Sequence, residues 1–359
     1  MGLGGVGPDR SFWSSQRVFL TGHTGFKGAW AAAWLRDLGA AVFGYALAPD
    51  QSPNLHDRLA PARDPGSTLA DVRDLESLKA AVRAARPTVI LHMAAQPLVR
   101  RSYADPIETF GANIMGTANL LEAARGAADL RVALIVTTDK VYAHDGAARA
   151  FVEDDRLGGA DPYSASKAAA ELVTQSYRAS YFKDRDVAVA SARAGNVIGG
   201  GDWSQDRIVP DIWRAMHAGR PLVLRNPAAI RPWQHVLESL RGYFLYAEAL
   251  ARDPAAVPSA LNFGPSAHAA PYSVAEVADR FGAAFAIDRT WIAASEPGPA
   301  EAQYLILDPA AAERALGWRA RLTTLEAIDW TARWYRRFDA GEDSRQIVRS
   351  QIETYEALA

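Results

Sequence analysis

Residues 17–39 read RVFLTGHTGFKGAWAAAWLRDLG, and this stretch decides the fold. Arg17 to Thr21 is a short apolar strand. Three glycines then follow at Gly22, Gly25 and Gly28 in the spacing G-x-x-G-x-x-G, and a helix runs through Ala29–Leu38 until Gly39 caps it. Glycines between a buried strand and a helix allow a tight turn and a close backbone approach. The helix N-terminus behind them offers free N–H donors and a positive dipole end to a phosphate. Three glycines among the 27 of this chain would mean little elsewhere; between these two elements they mark a dinucleotide site.

Working outward, the strand–helix alternation continues. Ala41–Tyr45 is a second strand and Thr68–Asp71 a short third. Leu75–Ala85 is a helix halted before Pro87. Thr88–Met93 is a continuous apolar run, as expected of a strand covered on both faces. Phe110–Ala124 reads as a helix, Val132–Thr137 as a strand, Tyr163–Tyr181 as a long helix and Val187–Ala192 as a strand. Right-handed crossovers turn this into an α/β, doubly wound parallel sheet of the Rossmann type. The alternation breaks near Gly195, and a smaller α/β substrate-binding domain is expected beyond it, with segments near Gln234–Leu250 and Leu261–Phe263 returning to the sheet. Residues 1–16 are expected to be a frayed leader, 17–195 the dinucleotide domain and 196–359 mainly the substrate domain.

Composition narrows the function. A formal net charge of -2 gives no basic field for nucleic acid. With 0 cysteines, disulfides and thiol chemistry are excluded, which agrees with a reducing cytoplasm. No apolar run nears the roughly 18 residues of a membrane span. The 7 histidines show no metal-ligand spacing, so no metal is expected, and His92 reads as a packed strand-end residue. Trp30, Trp34, Trp330 and Trp334 sit at helical spacings, suiting a core or a dimer surface.

The chemistry concentrates at two places. Tyr163-Ser164-Ala165-Ser166-Lys167 sets a phenol and an amine on one helix face. A phenol near neutral pH is a poor base unless positive charge favours the phenolate, and Lys167 together with an oxidised nicotinamide would supply it. At the end of the fifth strand, Thr138-Asp139-Lys140 joins a hydroxyl, a carboxyl and an amine where open α/β sheets bind ligands. An Asx-type turn beside a solvated lysine is the plain alternative. The second strand ends Gly44-Tyr45-Ala46-Leu47, without an acid or arginine for the ribose, and Asp50 lies late; the residues alone leave NAD and NADP both open.

Taken together, GHTGFKG (22–28), HMAAQPLVRRSY (92–103), TDKVY (138–142), YSASK (163–167), RAGNVIGGGDW (193–203), RIVPD (207–211) and IRPWQHVL (230–237) make the chain resemble the extended short-chain dehydrogenase/reductase family and, within it, the CDP-glucose 4,6-dehydratases. The resemblance runs from about Arg17 to Trp334. It implies NAD as cofactor and a nucleotide sugar, CDP-glucose, as substrate. Tyr163 would remove the C4 hydroxyl proton as hydride passes to NAD, water would leave across C5 and C6, and the hydride would return to C6. Thr138 would steady the C4 oxygen and Asp139 would protonate the departing hydroxyl. Lys140 stands where dTDP-glucose dehydratases carry Glu as C5 base. It must be neutral to accept a proton while Asp139 must hold one, so the pair is expected to share a proton.

The resemblance further implies cofactor contacts from Gly22, Thr24, Gly25, Phe26, Lys27, Gly28, Asp71, Val72, Ala94, Ala95, Gln96, Asn113, Thr137, Tyr163, Lys167 and Arg193. It implies substrate contacts from Gln96, Asn196, Arg231, His235 and Tyr304, with Arg231 clamping the diphosphate. A homodimer or homotetramer through the helices after Asp105 and Tyr163 is implied as well. The competing readings are a nucleotide-sugar 4-epimerase, a dehydratase of dTDP-glucose or UDP-N-acetylglucosamine, and an NAD-sensing binding protein.

Overall fold

A computed structural model describes residues 7–59, 66–144, 146, 149–266, 271–287, 291–295 and 304–358. Seven parallel strands form the main sheet: β1 (Arg17–Thr21), β2 (Ala41–Ala46), β3 (Ser67–Leu69), β4 (Val89–His92), β5 (Val132–Val136), β6 (Ala188–Ala194) and β7 (Ala260–Phe263). Their order is 3-2-1-4-5-6-7, so the chain reverses direction between β1 and β4, the crevice where doubly wound sheets bind ligands. Every residue of β4, β5 and β6 is buried. That explains their unbroken apolar runs: helices cover both faces.

Helices α1 (Arg10–Trp13), α2 (Phe26–Asp37), α3 (Leu75–Ala85), α4 (Gly116–Arg125), α5 (Pro162–Tyr177), α6 (Val236–Arg252), α7 (Thr324–Asp339) and α8 (Ser344–Glu356) pack around the sheet. Their starts follow the sequence: Asp74 caps α3 and Asp161 caps α5, while Thr323 and Glu326 form a reciprocal capping box on α7.

Four expectations need correction. The leader is not frayed over residues 10–16: Asp9 caps α1, and Trp13 is fully buried with its indole N–H donating to Glu248 at 2.7 Å. A tryptophan that finds both a core and an acceptor holds its segment down. The helix expected over 110–124 is broken by a π-turn, Gly111–Met115, which brings Asn113 inward. The helix expected to Tyr181 becomes a π-turn after Tyr177. Of the two returning segments, Leu261–Phe263 does join the sheet as part of β7, whereas Gln234–Leu250 returns as the buried helix α6.

Beyond β6, apart from β7 and helices α6 to α8, the strands form only short pairings. Val197–Ile198 pairs with Gln234–His235, Ile230–Arg231 with Tyr272–Ser273, and Leu222–Leu224 with Trp291–Ala293. One continuous apolar core runs from Val18 and Trp30 in the sheet half through Phe244 on α6 to Trp334 and Ile352. Among the described residues, no helix is long and apolar enough to cross a membrane.

Candidate active site

The glycine turn fits a pyrophosphate on the chain's own geometry. Gly22 has φ +75, and a Cβ there would stand 2.7 Å from the Ala94 amide nitrogen. A Cβ on Gly28 would overlap the Gly22 carbonyl. Gly25 differs: it is the N-cap of α2, no side chain caps the helix, and only the Gly22 oxygen lies within reach at 3.5 Å. The first N–H groups of α2 therefore have no side-chain partner at the cap and are open to an anion. Thr21 holds the neighbouring turn in place. Its hydroxyl accepts from the Met93 and Ala94 amides, at 3.1 Å each, and bonds His92 Nδ1 at 2.7 Å. His92 is thus a buried tie between strands, its imidazole pushed down to about 3 by burial and by Lys167.

The rest of the turn is committed in different ways. The Thr24 hydroxyl donates to Leu47 O (2.8 Å), and Phe26 packs on the apolar core. Lys27 turns inward to the Tyr243 hydroxyl (3.3 Å); burial, with Arg207 and Lys167 nearby, lowers it to about 7. Asp71 is held by Arg73, Val72 is buried against Gly116, and Ala94 and Ala95 are half-buried beside Gly22. Gln96 and Asn113 form a closed tie. Asn113 accepts from the Gln96 amide (2.8 Å) and donates to Ser166 (2.8 Å), while the Gln96 side chain is used by Leu98 and Thr109.

The two chemical couples converge. Tyr163 and Lys167 are both buried on α5, and the Lys167 Nζ donates to Val136 O at 3.0 Å, at the end of β5. The residues that follow β5 are Thr137, Thr138, Asp139 and Lys140. Burial pushes the Tyr163 phenol up to about 12; a hydrogen bond with Thr138 pulls it back in part, and Asp139 adds to the rise. Burial brings Lys167 down to about 8. Burial of both groups thus opposes the positive charge expected to favour the phenolate. Asp139 is fully buried: its Oδ1 accepts from the Thr138 hydroxyl (2.8 Å) and from Lys140 Nζ (3.2 Å), while Oδ2 accepts nothing. Lys140 is about a quarter exposed.

Three residues expected at the site have their side chains engaged elsewhere. The Arg193 guanidinium is taken up by protein partners. It is buried in a bidentate pair with Glu171 (3.0 Å to each oxygen) and also donates to the Tyr142 hydroxyl and to Glu153 O. Thr137 spends its hydroxyl on the same Glu171 (2.6 Å). His235 is not on a substrate surface: it caps α6 through Nδ1 and is enclosed edge-on by Trp30 and Trp330, with burial lowering it to about 3. Asn196 sits at φ 35 directly after Gly195 with its Oδ1 buried and unpartnered. Arg231 lines a shallow, open cleft with Pro232, Pro265, Ser266, Tyr272 and Ile306. Tyr304 bridges to Ile230 beside it, while residues 300–303 of the AEAQYLILD stretch fall partly outside the described residues. Two residues were missed. Arg207 is close enough to influence both Tyr163 and Lys27, and Tyr243 is coupled to Tyr163 and Asp139. The likeness of RIVPD does not reveal where its arginine points, and nothing local in the helical run around Tyr243 marks that residue.

Comparison with known proteins follows the same line. The model of the GDP-mannose 4,6 dehydratase family matches residues 19–331. The chain is 40% identical to the CDP-glucose 4,6-dehydratase of Salmonella typhimurium over 352 residues, covering 97% of this chain and 98% of that one. Among solved structures, it resembles the dTDP-glucose 4,6-dehydratase DesIV of Streptomyces venezuelae with NAD and TYD bound (TM-score 0.75, 24% identity, 91% of this chain and 99% of that one). It also resembles a UDP-glucose 4-epimerase of Stenotrophomonas maltophila with bound NAD (TM-score 0.76, 21% identity, 91% and 99%).

Proposed function

The chain belongs to the GDP-mannose 4,6-dehydratase family, and from that premise we propose that it converts CDP-glucose to CDP-4-keto-6-deoxyglucose with NAD as a recycled cofactor. The observation that carries this reading is the meeting of Tyr163–Lys167 with Thr138–Asp139–Lys140 at the carboxyl end of β5. An epimerase needs the first group alone; removal of water needs the second. The near full-length likeness to a CDP-glucose dehydratase supports the choice of nucleotide.

Bound NAD supplies a hydride acceptor for C4 and a hydride donor for C6. The chain handles the protons. Tyr163 Oη takes the proton of the C4 hydroxyl, helped by the positive nicotinamide and by Lys167, because burial alone favours the neutral phenol. Thr138 Oγ1 steadies the C4 oxygen. With a ketone at C4, the C5 proton is acidic; Lys140 Nζ would receive it while Asp139 gives a proton to the C6 hydroxyl as water departs, and Lys140 would return a proton to C5 once C6 has been reduced. The open N–H groups of α2 would hold the pyrophosphate of the cofactor, and Arg231 in its cleft, with the unpartnered Asn196 Oδ1, would take the substrate's phosphates and sugar, Arg207 lying near Tyr163. Two copies would pair through the helices after Asp105 and Tyr163, where Ile107, Met115 and Leu172 stand exposed.

The test is incubation with CDP-glucose. Product lighter by one water supports the reading, while an isomer of unchanged mass overturns it in favour of epimerisation. Tyr163→Phe should give no reduced nicotinamide on adding substrate; normal reduction would remove Tyr163 from the role of base.

A further inference from the structure

Directly behind Asp139 lies Gly195, the residue after β6. A Cβ at this position would overlap the Oδ2 and Cγ of Asp139 and stand 2.9 Å from its Cβ. The carboxyl group thus lies in the space where any other residue would carry a side chain. The turn around that space is held from the next strand. Gln234 Nε2 donates to Gly195 O (3.2 Å) and to Phe263 O (2.8 Å), and the Gln234 amide donates to Asn196 O (3.3 Å). Asn196 has a left-handed backbone, rare for a residue with a side chain and sustained only where the surroundings dictate it.

We propose that Gly195 is a positioning residue for the elimination step: its missing side chain is the seat of the Asp139 carboxyl, and Gln234 keeps that seat in register. The proposal rests on the reading of Asp139 as proton donor. Thr138 and Lys140 hold Oδ1, and Oδ2 lies against Gly195, so both oxygens of the carboxyl are fixed only while position 195 stays empty. A methyl group at 195 forces the carboxyl to swing away from its two donors or outward into the crevice. Either movement misplaces the transferring proton by about 1 Å, a displacement that costs on the order of 10²-fold in rate.

Gly195→Ala, assayed with CDP-glucose, should turn over about 10²-fold more slowly with little change in KM. It should also accumulate the absorbance of reduced nicotinamide, because C4 oxidation by Tyr163 is untouched. Asp139→Asn, measured alongside, separates the two claims. A stall in both variants supports the proposal. A stall in Asp139→Asn with parental turnover in Gly195→Ala overturns the positioning role and leaves the acid assignment standing. Parental turnover in Asp139→Asn removes the acid assignment and the proposal with it. Loss of nicotinamide reduction in Gly195→Ala would put the damage at oxidation and likewise overturn the proposal. If Gly195→Ala does not fold, Gln234→Leu decides: it loosens the turn without touching Asp139. A stall of about 10-fold with reduced nicotinamide accumulating supports the proposal, and parental behaviour overturns it.

Discussion

Two carboxylates are buried next to the residues that follow β5, and their surroundings could hardly differ more. Glu171 on α5 receives four donors: Thr137 (2.6 Å), Ser191 (2.7 Å) and both arms of Arg193 (3.0 Å each). Burial would raise it, but Arg193 and the two hydroxyls prevail and hold it below the usual carboxylate range. Asp139 receives two donors on one oxygen and none on the other. A carboxylate with every lone pair used is a permanent anion that locks β5, β6 and α5 together. One left half-satisfied in a closed site bears a cost that stability alone would not retain. The contrast assigns structure to the first and chemistry to the second.

The sharpest way to break this contrast is Arg193→Met. Leaving Glu171 charged and unpaired should cost about 3–5 kcal/mol, read as a large fall in Tm or loss of soluble protein. An unchanged Tm with lost turnover would return Arg193 to the cofactor site. Asp139→Asn should do the reverse: turnover falls at least about 10²-fold with reduced nicotinamide accumulating, while Tm holds or rises. Thr137→Val removes one donor of four, and chemical denaturation should report a loss of about 2 kcal/mol with little change in KM. A loss as large as that of Arg193→Met would mean the four donors are not separable.

The mildest effect expected is that of pH. His92 and His235 are buried and hold neutral down to about 3, while the unfolded chain takes up protons on both from about 6.5. The unfolded state then binds more protons, so stability falls as pH drops through 6.5, by at most about 1.4 kcal/mol per histidine per pH unit. Glu171 keeps its contribution until the pH falls below the ordinary range for a carboxylic acid. Urea unfolding between neutral and mildly acidic pH measures the slope. A flat profile would mean the two imidazoles are not held neutral.

The sheet was readable because its signals are local. Each apolar run, helix cap and glycine turn of the first half speaks for itself within a dozen residues, and β1, α3 and β5 start where the sequence places them. The two couples of the site were readable for the same reason, since each lies within five consecutive residues. What was not readable depends on a remote partner. Arg193 looks like a strand-end ligand until Glu171 appears opposite it. His235 looks available until Trp30 and Trp330 close over it. The two-residue strands after β6 have no period to read, and each exists only because a distant segment pairs with it. Gly195 carries no signal at all without Asp139 beside it.

Helix α8 packs on α2, and Trp34 donates to Glu356 across 322 residues of chain. Strand β7 completes the sheet almost as late. A ribosome therefore releases the glycine turn, its helix and most of the sheet long before the segment that backs them has been made. Until then the flank of Trp34 is bare, so the nascent chain presents a sticky surface through most of its synthesis. A chaperone, or a slow pause in translation, would act on that interval.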